Sequence, residues 1–179
     1  MRLPPWLRSV ADKLASAPPN TRIIHGVSVR VSDNRANADP EHLFKKMTAA
    51  LGLIAEYQPH RVRRMPTDMD VIWVREHTMC RAAFHGWPDL RACVLDDYFV
   101  GTFPEAQIAS SIVHEGIHAR LRSAGVPWTD CQAARAREER LCREAELSFG
   151  LAIPNGEAVA ERARVSLLLD DDNVAPRLA

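Results

Sequence analysis

Apolar positions recur at helical spacing in several stretches of the chain and shift to short, β-branched runs between them. Trp6, Leu7, Val10, Ala11 and Leu14 predict a short amphipathic helix over residues 5–16, stopped by Pro18-Pro19-Asn20. Residues 22–31 are rich in β-branched side chains and alternate from Val27 onward, which predicts one strand with a lone His25 in it. The polar run from Ser32 to Asn37 reads as a loop. Asp39 then caps a helix to about Tyr57, with Pro40 in its first turn. Leu43, Phe44, Met47, Ala50, Leu51 and Ile54 form its apolar face.

From Arg61 to Val100 the pattern changes to short strands at Val71–Val74, Thr78–Phe84 and Arg91–Leu95, the last running on through Asp96 to Val100. His85-Gly86-Trp87-Pro88-Asp89 reads as a turn between them. A meander of this kind predicts a small, mostly antiparallel sheet. A helix follows, with Thr102 as its cap, Pro104 just inside and Glu105 completing a capping box. Gly125 and Pro127 end it, and Ile108, Ala109, Ile112, Val113, Gly116 and Ile117 form its apolar stripe. A second helix, rich in arginine and glutamate, runs from about Thr129 to Phe149, with Gly150 as its stop. Residues 156–169 predict a last helix, and Asp170-Asp171-Asp172 a fraying tail over 170–179. The expectation is one α+β domain over 1–179, with residues 1–20 as an N-terminal helix and linker.

Composition narrows the function classes. The chain has 179 residues, 23 basic and 23 acidic side chains and zero formal net charge, which argues against a nucleic-acid binder. No run approaches the ~20 apolar residues of a membrane span, and the N-terminus lacks the apolar core of a signal peptide. Cys80, Cys93, Cys131 and Cys142 form no CxxC pair, so a reduced, cytoplasmic setting is expected. Cys142 reads as a small buried hydrophobe on a helix face.

The chemistry lies in His114-Glu115-Gly116-Ile117-His118. On a helix, positions i and i+4 share a face, so both imidazoles can grip one zinc ion while Glu115 stands beside them as a general base. The pair falls at the border of the apolar stripe, where a core meets a cleft. A catalytic zinc site needs a third protein ligand, and no histidine follows His118. Glu138, Glu139, Glu144 and Glu146 on the next helix are the candidates. At ~100° per residue, Glu138 falls within that helix's apolar face, Glu139 on its flank, and Glu144 points away.

These residues resemble the gluzincin branch of the HExxH zinc metallopeptidases, in compact bacterial form. The likeness rests on His114-Glu115-x-x-His118 and on Glu138-Glu139 in an acidic second helix, and covers roughly residues 70–154. It implies a zincin-like fold, a Zn²⁺ cofactor, hydrolysis of a peptide or protein substrate, and Glu139 ahead of Glu138 as third ligand. It also implies an edge strand that pairs with the substrate backbone, for which Arg91–Asp97 is the candidate. Such enzymes place a transition-state stabiliser after the motif, and here no His or Tyr follows residue 118. Tyr98, or one of Arg120, Arg122, Arg135 and Arg143, would have to serve. The alternative is a non-catalytic zinc protein acting in binding or regulation.

Overall fold

The structure, a computed structural model, describes residues 20–32, 39–77 and 80–175. It is an α+β fold with a five-stranded mixed sheet and, among the described residues, seven helices. The predicted helix over 5–16 and most of the loop after Ser32 lie outside the described residues.

The first expected strand is a hairpin. β1 (Thr21–Ile24) and β2 (Val27–Val31) pair antiparallel about His25 and Gly26. Both turn residues take positive φ, 49° and 83°, which a two-residue type I′ turn requires and which glycine adopts at little cost. Two helices, α1 (Pro40–Tyr57) and α2 (Pro59–Asp68), then carry the chain back so that β3 (Val71–Arg75) lies parallel to β2. Asp39 caps α1, accepting from the Glu41 N–H at 3.0 Å, and all six predicted apolar positions of α1 are buried. The helix α2 occupies residues expected to open the strand region. Its buried Val62 and Met65, three apart, are the helical signal among the arginines, and Pro59 stands at its first turn.

β4 (Ala82–Trp87) and β5 (Leu90–Asp96) form the second hairpin, and the sheet order is β1-β2-β3-β5-β4. Two corrections follow. The sheet is mixed rather than mostly antiparallel, because β2, β3 and β5 run parallel. The segment Arg91–Asp97 is interior, and the edge is β4, which runs through His85, Gly86 and Trp87, so the turn is confined to Pro88-Asp89. The near-continuous apolar run of β3 fits a strand buried on both faces. The main core fills one face, and Val71, Ala92 and Val94 form a smaller cluster on the other.

Beyond β5 the chain turns into a short helix, α3 (Asp97–Thr102), because the Asp96 carboxylate accepts the Phe99 N–H at 3.0 Å and ends the strand. Thr102 therefore closes α3 instead of capping the next helix. The motif helix α4 (Glu105–Ser123) starts after Pro104 without a side-chain cap, and Glu105 instead accepts from Lys46 of α1 at 2.9 Å. Gly125, at φ 84°, follows its end.

The remaining helices are α5 (Gln132–Ala152), α6 (Glu157–Leu167) and α7 (Asp171–Val174). Gly150 does not stop α5. It lets α5 and α6 meet backbone to backbone, since a Cβ there would lie 2.7 Å from the Ala160 nitrogen and one on Gly156 would collide with the Gly150 oxygen. The acidic run does not fray: Asp170 caps α7 through the Asn173 N–H at 2.9 Å, and Val174 and Ala175 bury against Ala136. Among the described residues no helix is long and apolar enough to cross a membrane.

Candidate metal centre

α4 packs its apolar stripe on the sheet and α1, which fixes the azimuth of every other side chain it carries. Ile108, Ala109, Ile112, Val113 and Ala119 enter the core. That rotation turns His114 and His118 toward α5, where both are 8% exposed, and Glu115 is buried beside them at 7%.

The two Nε2 atoms lie 3.2 Å apart. Glu139 of α5 spans them, with Oε2 3.3 Å from His114 Nε2 and Oε1 3.3 Å from His118 Nε2. Cys142, one turn further along α5 and fully buried, brings its Sγ to 3.5 Å from His118 Nε2. His114, His118 and Cys142 offer ligand atoms within 4.8 Å of one another and can hold a metal ion. The spacing fits one. Zinc–nitrogen bonds of about 2.0–2.1 Å at the tetrahedral angle put two nitrogens about 3.3 Å apart, and a zinc–sulfur bond of about 2.3 Å puts sulfur about 3.5 Å from a nitrogen.

The far side of each imidazole is braced. His114 Nδ1 donates to Glu146 at 2.6 Å, and His118 Nδ1 donates to Glu138 at 2.6 Å. An ionised carboxylate only accepts, so each brace puts a proton on Nδ1 and aims Nε2 inward. The braces are themselves held. Glu146 accepts from Arg143 at 2.7 Å and from Arg162 of α6 at 3.2 Å, and Arg162 also reaches Ser110 at 3.1 Å. Glu138 pairs with Arg122, whose guanidinium lies 3.8 Å over the Trp128 ring. Trp128 in turn stands 6.4 Å from the His118 ring and stacks on Phe84 of the edge strand at 6.5 Å.

Electrostatically the pocket asks for positive charge. Burial alone would lower the pKa of His114, but hydrogen bonds to Glu139 and Glu146 outweigh it and raise the value to about 10. For His118, burial is likewise outweighed by Cys142, Glu138 and Glu139, and the ring is held far above the usual histidine range. Glu139 shows the reverse: burial favours its neutral form, yet the two histidines hold it well below the usual carboxylate range. The carboxylates of Glu138, Glu139 and Glu146 thus favour positive charge at the two rings, a role that a dication fills at the same atoms.

Sequence reasoning put both glutamates near the histidines, and the structure separates their places: Glu139 faces the two Nε2 atoms and Glu138 the outer Nδ1 of His118. The face argument ranked them the other way because it measured apolar neighbours rather than the α4–α5 contact. Cys142 is not simply a packing residue, since its sulfur lies among the donors. Glu146, one of the candidate third ligands in the sequence, instead lies on the outer Nδ1 of His114, and its spacing of seven from Glu139 puts it on the same face of α5. Tyr98 lies on α3 rather than a strand, is 62% exposed, and makes no hydrogen bond or ring contact with the site among the described residues. Arg122 and Arg143 are engaged with Glu138 and Glu146, and Arg120 lines a groove with His60 and Arg61. Glu115 is buried between the histidines and the sheet, and its charge is felt at His114 as well as at His85, Cys80 and Cys93. No known protein family, curated protein or solved structure matches the chain.

Proposed function

We propose that the chain is a zinc-dependent peptidase of compact, zincin-like build. The observation that carries this reading is the sidedness of α4. His114 and His118 turn one way, into a donor cluster with Glu139, while Glu115, between them in sequence, is buried on a helix that also packs against β4, and its charge is felt at both His114 and His85. A helix that needed its histidines only for packing would gain nothing from a buried carboxylate in that position.

His114, His118 and Glu139 would hold the zinc, which when bound supplies Lewis acidity toward a water and a carbonyl oxygen. Glu138 and Glu146 orient the two rings. Glu115 takes a proton from the attacking water at its carboxylate and returns it to the leaving amine. The β4 backbone, at the edge of the sheet among the described residues, offers an extended peptide a register along Ala82–Trp87. His85 stacks flat on Trp87 at 4.6 Å on that strand and can donate toward a substrate carbonyl.

The test is Glu115→Gln in zinc-loaded protein, read by mass spectrometry of a mixed peptide library. Cleavage is expected to fall ~10²–10⁴-fold while zinc content stays unchanged. Cleavage at the wild-type rate would overturn the role of Glu115. One observation favours a second reading, a non-catalytic metal protein: Cys142 stands where a fourth ligand would.

A further inference from the structure

We infer that Cys142 is itself a metal ligand, so that the resting centre is closed by four protein donors, His114, His118, Glu139 and Cys142. The inference rests on the metal-binding reading above and adds to it. Three facts carry it. The sulfur lies 3.5 Å from His118 Nε2, the separation expected for two donors on one tetrahedral zinc. The sulfur and both imidazoles offer donor atoms within 4.8 Å of one another. Cys142 also follows Glu139 by three residues on α5, so the two share one helix face, the face that Glu139 turns to both Nε2 atoms.

The side chain has no access to solvent, so its place among the donors is fixed by the α4–α5 contact and not by a mobile loop. The chemistry suits the position. Zinc sites with four protein ligands are closed, and those that activate water keep one place open. With Cys142 bound, a water can enter only when the thiolate yields its place or the coordination expands to five. The same pocket is thereby held in a stored form, in which Glu115 is in place but the water it would deprotonate is excluded. Replacing sulfur with a poorer donor opens the centre without touching Glu115 or either histidine.

Cobalt(II) distinguishes the outcomes, because a thiolate bound to it gives an intense charge-transfer band in the near ultraviolet that imidazole and carboxylate do not. The full-length wild-type protein, loaded with cobalt(II) alone to one per chain, is expected to show that band together with visible bands of a four-coordinate ion. Cys142→Ser and Cys142→Ala are expected to bind cobalt(II) but lose the charge-transfer band. Wild-type protein that binds cobalt(II) without the band overturns the inference and leaves the metal site standing. A band that survives in both variants assigns the thiolate to Cys80, Cys93 or Cys131 and also overturns it. Wild-type protein that binds no cobalt(II) overturns the metal-binding reading and this inference together.

Discussion

Two groups of side chains in this fold bring two histidines and a cysteine together. His77, Cys80 and His85 gather where β4 begins; His114, His118 and Cys142 gather between α4 and α5. In the first, His77 Nδ1 lies 3.2 Å from the Cys80 carbonyl oxygen, the Cys80 thiol donates to the Ala82 carbonyl at 3.1 Å, and His85 stacks on Trp87. The His77 and His85 rings are 6.0 Å apart and tilted. His77 Nδ1 and the Cys80 thiol are thus turned to backbone carbonyls and, at 3.6 Å, to each other. Among the described residues no carboxylate braces either ring, and all three residues are only half-buried. In the second group the outer nitrogens are committed to Glu146 and Glu138, which leaves the inner ones to converge at 3.2 Å. Residue types in proximity do not make a metal centre. The second shell decides where the lone pairs point.

His118→Ala should break that distinction most severely: zinc affinity is expected to fall by more than the about 100-fold typical of losing an outer partner. His77→Ala and His85→Ala should leave zinc near one per chain, as measured by atomic emission after dialysis. Zinc lost equally from all three variants would show that the two groups are not distinct. A finer cut is Glu146→Gln, which keeps a hydrogen bond but weakens the brace on His114. Its zinc affinity should drop about 10–100-fold in competition with a chromophoric chelator, and wild-type affinity would mean that the brace does not tune the ring.

The smallest effect belongs to a pair outside both groups. Lys46 holds Glu105 below its ordinary value near 4.5 through a side-chain hydrogen bond. A carboxylate depressed in the folded state stabilises above its unfolded pKa, and that contribution is lost as pH falls through the folded value. Glu105 is 41% exposed on its side chain, so Lys46→Met should cost only about 0.2–1 kcal/mol near neutral pH and less in acid, read from urea midpoints. Zinc content should not change. A larger loss, or one that grows in acid, would contradict this assignment.

The sequence made the motif helix legible because two signals agreed there, an apolar stripe of period 3.6 and a histidine pair at i and i+4. The helix α1 was legible for the same reason, with Asp39 and Pro40 marking its start. Two kinds of feature were harder to read. Local polar chemistry overrode an apolar pattern at Asp96, where one carboxylate turns a continuing β-run into α3. Azimuth on α5 depended on where α4 lay against it, so single-helix geometry could name Glu138, Glu139 and Glu146 as candidates but ranked Glu138 ahead of Glu139, did not separate ligand from brace, and read Cys142 as packing alone. The parallel pairing of β2, β3 and β5 is set by long crossovers that no local window contains. That is also why the interior strand β5 looked like an edge.

The contact of Gly150 with Gly156 has a consequence for how this sequence can drift. Arg162 reaches Glu146 from α6, and α6 sits where it does because neither glycine carries a Cβ at the crossing. Any side chain added there pushes the two backbones apart, draws the guanidinium from the carboxylate and loosens the orientation of His114. Exchanges among Cys, Ser, Glu and Gln around the donors alter the chemistry by degrees. A methyl group at position 150 or 156 alters the frame on which all of it is hung. Two residues with no side chain, distant in sequence from His114, are thus among the least replaceable parts of the centre.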